Sequence, residues 1–340
     1  MIGYIPGAIP PPPDTDKILV QLGPFAIRYY AVAILLGIIA AIFITDRRYR
    51  AKGGPADTVL DVSVWAVIFG IIGARIYYII STPDAYFGAN GRLLDIFKIW
   101  EGGMAIIGGL IGGAIGIGIA LRRRGLHFLP FADALAPGLL VAQAIGRFGN
   151  YFNQELFGIE TNLPWGLQID SAHLPEGVAP GTLFHPTFLY EQLWNLAGAA
   201  LLIFCERKFR LRGGQVIAGY FVIYGFGRFW IEMIRTDFAH SFGGLRFNSW
   251  AALIIFVAGT VAFVLLRRIN QIKPELAEIR FASSQSTQFA VSSEQTASVQ
   301  ATGQTSAVQS DDHAAWDETD DVDDAGSEQN SAANSNPQAE

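Results

Sequence analysis

Between residues 27 and 266 the chain alternates long apolar blocks with short polar connections. Seven blocks, near 27–45, 59–80, 103–121, 131–148, 186–205, 214–235 and 247–266, approach or reach the ~20 residues that a helix needs to cross a hydrocarbon core about 30 Å thick. The pattern predicts an all-α integral membrane protein with seven transmembrane helices.

The connections carry an orientation signal. Segments 46–52, 122–127, 206–212 and 267–280 hold 4, 3, 4 and 4 Lys or Arg residues, against 2, 0 and 1 in segments 81–102, 149–185 and 236–246. Cytoplasmic loops are the ones enriched in Lys and Arg. The N-terminus is therefore expected outside and the C-terminus in the cytoplasm, with the Pro- and Gly-rich segment 149–185 as an external loop or cap between spans four and five.

Composition agrees with a membrane protein: 51% of the 340 residues are hydrophobic, with 24 Phe against 3 Met and 1 Cys. A single cysteine excludes an internal disulfide, and Cys205 is given no chemistry. Residues 1–26 lack a basic n-region and a cleavage-like site, and their Pro run predicts an extended, exposed external lead-in. The transmembrane catalytic domain is placed at 27–268. Residues 269–340 read as a disordered, acidic cytoplasmic tail: from 274 onward there are 13 acidic residues and one base, Arg280, in a stretch too polar to build a core.

The third block, "GGMAIIGGLIGGAIGIGIA", repeats Gly108, Gly112 and Gly116 every fourth residue. Such a face lets helix backbones approach closely in lipid.

Charges inside the apolar blocks change the picture most. Arg28, Arg75, Arg147, Arg228 and Arg235 lie within or at the edge of the spans, where an ionised side chain costs at least ~2.5 kcal/mol and needs a partner. In the predicted orientation they gather toward the external leaflet, together with Tyr30, His185, Glu191 and Glu232. Asp133 lies deeper, as a possible anchor for a helix start. Arg228, Glu232 and Arg235 share one helical face, as do Gln143, Arg147 and Asn150, and Glu191 and Asn195. Two readings fit: ridges lining one cavity, or internal salt bridges that only fix helix register. Arginine in excess of buried acid favours an anion-binding cavity, and the anion at that depth is a phospholipid head group. A transporter for an organic anion is the rival. No metal is expected, because the five histidines show no ligand spacing.

"AIGRFGNYFNQELFG" at 144–158 resembles the signature of the prolipoprotein diacylglyceryl transferase family. "GPFAIRYYA" at 23–31, "GARIYY" at 73–78, "IWEGGMAIIGGLIGG" at 99–113, "HPTFLYE" at 185–191 and "YGFGRFWIEMIRTD" at 224–237 follow the family's order, so the resemblance spans about residues 17–268. It implies an enzyme of the bacterial cytoplasmic (inner) membrane. That enzyme moves the diacylglyceryl group of phosphatidylglycerol onto the lipobox cysteine of a preprolipoprotein, releasing glycerol phosphate, with its site toward the outer leaflet. The implied partners are phosphatidylglycerol, preprolipoproteins and membrane lipids, with no nucleic acid and no cofactor.

Residue by residue, the resemblance places Arg147 and Arg228 on the family's essential arginines and Tyr30 on its functional tyrosine, for which a plain interfacial role is the alternative. Glu232 and Arg235 match charged positions further along the same helix. Asn150 and Glu155 match signature residues, with head-group contact and loop folding equally open. Arg75 and Gly158 are further expected lipid contacts, although Gly158 also reads as a site of close backbone approach. Ile107 stands where many members carry a histidine regarded as the thiol's base, so the proton is expected to leave by another route. His185, Glu191 and Glu232 are the remaining acceptors.

Overall fold

A computed structural model of the protein describes residues 5–13, 17–22, 25–87, 91–98, 102–237 and 241–280. The described residues belong to one compact unit.

Each apolar block becomes a helix. The long helices are α1 (Tyr29–Ala51), α2 (Thr58–Ser81), α4 (Ile106–Arg123), α5 (Phe128–Asn153), α6 (Thr187–Phe209), α7 (Gln215–Glu232) and α8 (Phe247–Ile272), with a one-turn α3 (Asp84–Phe87) after α2. Among the described residues, six of them, all but α7, are long and apolar enough to cross a membrane. The exception has a local cause: α7 places Gln215, Arg228 and Glu232 among only 18 residues.

The chain is mostly helical, in line with the all-α expectation, and the remaining regular structure is confined to short hairpins. Short antiparallel hairpins pair β1 (Ile18–Leu22) with β2 (Phe25–Arg28), β3 (Leu167–Gln168) with β4 (Leu183–Phe184), and β5 (Ser241–Phe242) with β6 (Leu245–Arg246). Each is in a connection, where backbone polar groups have no helix to satisfy them.

α5 is the central helix, packing on α1, α6 and α7. Small residues set the closest helix pair elsewhere: Gly108, Gly112 and Gly116 of α4 are buried against α2, and a Cβ at Gly112 would run into the carbonyl oxygen of Phe69. The glycine face thus does what its spacing predicts.

The 149–185 connection is a folded cap. Leu167, Ile169, Phe184 and Phe188 form its core. The described residues 5–13 are not fully exposed: after a turn at Pro6–Gly7, Ile9 donates to the Gly166 carbonyl at 2.9 Å and accepts from Gln168 N at 2.9 Å, and Ala8 is buried. The Ile9 backbone thus adds to the edge of β3 in a parallel bridge to Leu167. At the other terminus, α8 runs past 268 to Ile272, and Ile279 accepts from His127 N at 2.8 Å while packing on Tyr49 and its neighbours. The expected disordered tail otherwise falls in 281–340, outside the described residues, as do Trp100 and Glu101 of the third-block motif.

Candidate active site

One end of the bundle carries a chain of ion pairs linking three helices. From α5, Arg147 pairs with Glu191 of α6; Glu191 also receives Arg228 of α7 at 3.3 Å, and Arg228 reaches Glu232 at 2.8 Å. The i, i+4 spacing of Arg228 and Glu232 on α7 makes their pairing local, whereas Glu191 joins arginines 81 positions apart in sequence.

α7 ends at Glu232, so Arg235 does not occupy the next helical turn. It comes from the turn that follows and still reaches Glu232 Oε2 at 3.5 Å and Asp237 Oδ1 at 2.7 Å. Glu232 is completely buried and takes two further partners: Arg246 Nε at 3.2 Å and Asn248 Nδ2 at 3.1 Å. A carboxylate removed from water needs this many donors. Arg246, at the end of the β5–β6 hairpin, also donates to the carbonyl oxygens of Arg235 and Asp237. Sequence reasoning missed it, because it sits in a loop next to a block and was tallied only as an orientation charge.

Four guanidinium groups therefore meet three carboxylates, Glu191, Glu232 and Asp237, leaving one formal positive charge within the ion-pair chain. The salt-bridge reading of the sequence is partly right, since every one of these arginines has an acid. It is incomplete, because the acids are shared. The Arg147, Arg228 and Arg246 side chains keep 21%, 18% and 17% of their surface, while Arg235 keeps 4%; of the three more accessible ones, Arg147 and Arg228 are the pair that shares Glu191.

The signature segment explains itself residue by residue. Arg147 donates to Asn150 Oδ1 at 3.0 Å, and Asn150 donates to Glu155 Oε1 at 2.9 Å, where Asn153 also arrives at 3.2 Å. Glu155 thus ties down the chain as it leaves α5 through the left-handed Gln154 and Leu156. Tyr30 lies with its ring across Gly149, where a Cβ would overlap it; its hydroxyl has no hydrogen-bond partner among the described residues. Gly158 is a point of backbone approach: its N–H donates to the His185 carbonyl at 2.9 Å, and a Cβ there would stand 2.7 Å from His185 Cβ and 2.9 Å from the Ile234 oxygen.

Two expected residues are not brought into the network. Arg75 donates to the carbonyls of Asp95, Ile96, Gly102 and Gly103, holding together the connection after α2. His185 has its Nδ1 3.1 Å from the Tyr190 hydroxyl. Arg28 is exposed on β2, and Ile107 is half-exposed on α4. Asp133 proves to be at the far end of the bundle.

Beside Glu191 and Arg228 lies a cavity of about 10 Å³ walled also by Asn195, Tyr224 and Trp194, room for one water molecule. Trp194 in turn borders an apolar cleft of about 260 Å³ between α6 and α7 that includes Gly198, Val222 and Phe226. Among the described residues no cluster of three or more His, Cys, Asp or Glu is arranged to hold a metal ion. Chemically, the arrangement offers two partly accessible guanidinium groups, fixed by a shared carboxylate, next to apolar surface.

Comparison with known proteins points the same way. The family described as prolipoprotein diacylglyceryl transferase matches residues 17–265. A phosphatidylglycerol–prolipoprotein diacylglyceryl transferase of Frankia alni is 49% identical over 257 residues, which is 75% of this chain and 67% of the relative. A protein of the same name from Paenarthrobacter aurescens is 46% identical over 272 residues, 77% of this chain and 85% of the relative. One from Streptomyces coelicolor is 46% identical over 255 residues, 75% and 80% respectively.

Proposed function

The chain belongs to the prolipoprotein diacylglyceryl transferase family, and from that premise we propose that it transfers the diacylglyceryl group of phosphatidylglycerol to the thiol of a prolipoprotein's lipobox cysteine. The observation that carries this reading is the shared clamp of Glu191 on Arg147 and Arg228, two guanidinium groups on separate helices that both retain access. Paired cations of this kind suit a phosphodiester.

In this reading α7 also crosses the membrane, as the sixth of seven spans, its polar face turned to the network rather than to lipid. The distribution of Lys and Arg supports an external N-terminus, a cytoplasmic C-terminus and a network end facing the outer leaflet of the bacterial cytoplasmic membrane. Residues 1–26 and 149–185 then lie outside, 27–268 form the catalytic domain and 269–340 extend into the cytoplasm. The 260 Å³ cleft behind Trp194 suits an acyl chain.

The reaction forms a C–S bond and breaks the C–O bond between the diacylglyceryl carbon and the phosphate oxygen. The bonding pair moves onto the phosphate, whose charge grows as glycerol phosphate leaves. Arg147 and Arg228 stabilise that charge, a contribution worth ~3 kcal/mol per donor in comparable sites. Nearby guanidinium groups also favour a thiolate, so the proton that Ile107 cannot accept passes to another acceptor: Glu191 or the departing phosphate within the network, or His185 outside it. Glu232 acts through Arg228, because it is fully enclosed by its own partners. Asn150 and Glu155 aim Arg147, Tyr30 offers its hydroxyl to the head group, Arg235 braces Glu232, and Gly158 shapes the loop. Arg75 serves the fold of its connection.

Purified protein supplied with phosphatidylglycerol and a lipobox peptide should yield a peptide heavier by one diacylglyceryl group. Arg147→Ala and Arg228→Ala should each lower turnover by about 10²- to 10³-fold while the proteins still insert. Near-normal turnover in both removes the assignment.

A further inference from the structure

The end of the bundle opposite the arginine network carries a second polar cluster to which the reaction assigns nothing. Asp133 of α5 is 1% exposed, and its carboxylate accepts from three backbone N–H groups at the start of α7: Gly214 at 2.8 Å, Val216 at 2.9 Å and Ile217 at 3.0 Å. Arg48 of α1 donates to the carbonyls of Ala134 and Asp133 at 3.0 and 3.3 Å and pairs with Glu206 of α6 at 2.6 Å; Lys52 reaches Glu206 at 2.5 Å. The helices α5, α6 and α7, which meet at the network end through Arg147, Glu191 and Arg228, are thus tied again at the far end.

The intervals between the two ties are similar. Asp133 precedes Arg147 by 14 residues on α5, and the three N–H groups it holds precede Arg228 by 14, 12 and 11 residues, Gly214 as the cap of α7 and Val216 and Ile217 within it. At 1.5 Å per residue the α5 interval spans about 21 Å and the α7 intervals about 16 to 21 Å, so the two ties are separated by similar heights on the two helices. The two helices run in the same direction. Level contact at one end therefore places the two guanidinium groups level at the other.

The two ties differ in stiffness. Arginine is long and rotatable, and the network holds three carboxylates, so its pairs can re-form after a helix slides. Asp133 is short and grips backbone atoms, whose positions are those of the helix itself. In lipid, apolar packing resists sliding weakly, since hydrocarbon replaces what the helices lose. The N–H groups at the start of α7 would otherwise lack partners. We infer that Asp133 is a positioning residue for the transfer reaction: it sets the axial register of α7 on α5 and so holds Arg147 and Arg228 at one height. The inference rests on the function proposed above for those arginines.

The test uses the full chain in lipid nanodiscs, with Cys205→Ser and spin labels at Phe148→Cys and Phe226→Cys, two half-exposed side chains beside the network. Asp133→Ala should shift or broaden the label-to-label distance by about one residue's rise, 1.5 Å, or more. In the unlabelled protein it should lower kcat about a hundredfold, as small misplacements do, with a smaller change in KM for phosphatidylglycerol. Asp133→Asn keeps one acceptor oxygen and should recover part of both. An unchanged distance, or a shifted distance with wild-type kcat, overturns the inference. If Asp133→Ala does not fold, Asp133→Asn and Arg48→Ala are read by the same criteria. Should the wild type lipidate no peptide, the proposed reaction fails, while the distance measurement still decides the register.

Discussion

Glu232 shows how one residue's surroundings assign it a task. It is wholly buried and contacted by Arg228, Arg235, Arg246 and Asn248, so it cannot meet substrate and instead orients the guanidinium that can. Removing one donor leaves the buried carboxylate undersupplied, and a hydrogen bond to a charged group contributes ~1.5 to 3 kcal/mol. Arg246→Ala should therefore reduce turnover roughly tenfold or more, with Arg246→Lys recovering part through its retained charge; wild-type rates in the alanine variant, measured on the lipobox peptide, would remove Arg246 from the network's function. Arg147, Arg228 and Glu232 were legible in the sequence because charge is expensive at membrane depth. Arg246 and Asp237 were not, since charged residues in a connection are ordinary there. Glu191 was legible as a buried acid, but its sharing between two arginines was not, because nothing in the chain says that positions 147 and 228 will meet.

At the scale of elements, the bundle is held by two kinds of contact. α2 and α4 rely on glycine: the Cα atoms of Gly108 and Gly112 lie where side chains would otherwise hold the helices apart. Gly112→Leu should force α4 away from Phe69 of α2 at a cost of roughly 1 to 3 kcal/mol, seen as a lowered midpoint of thermal unfolding in detergent; an unchanged midpoint would show that the pair does not depend on close approach. α5, α6 and α7 rely instead on polar ties at both ends. Helix positions followed from apolar length alone, and the glycine spacing foretold a close pair, though not which helix would be the partner. A loop or cap was expected from the polar, Pro- and Gly-rich 149–185, but its β3–β4 hairpin was beyond sequence reading, because the strands are two residues long and their partners come from distant segments, including Ile9.

For the whole molecule, orientation decides which leaflet the arginines address. With Cys205→Ser as background, a membrane-impermeant maleimide should label Ala179→Cys from outside spheroplasts and reach Ala51→Cys only after permeabilisation. The reverse pattern would place the network at the cytoplasmic leaflet and refute the proposed access to external prolipoprotein.

The sequence by itself determined that this is a membrane protein with helices in these seven places, which ends of them carry like charge, and that arginine and acid are buried near one end. These follow from local costs that each residue incurs wherever the chain goes: apolar length, charge at depth, Cβ volume. Tertiary structure alone decided the pairing, with Glu191 shared by Arg147 and Arg228, Asp133 gripping the start of α7 and Arg246 closing on Glu232. Those are contacts between distant segments, and their geometry exists only once the helices are packed in register.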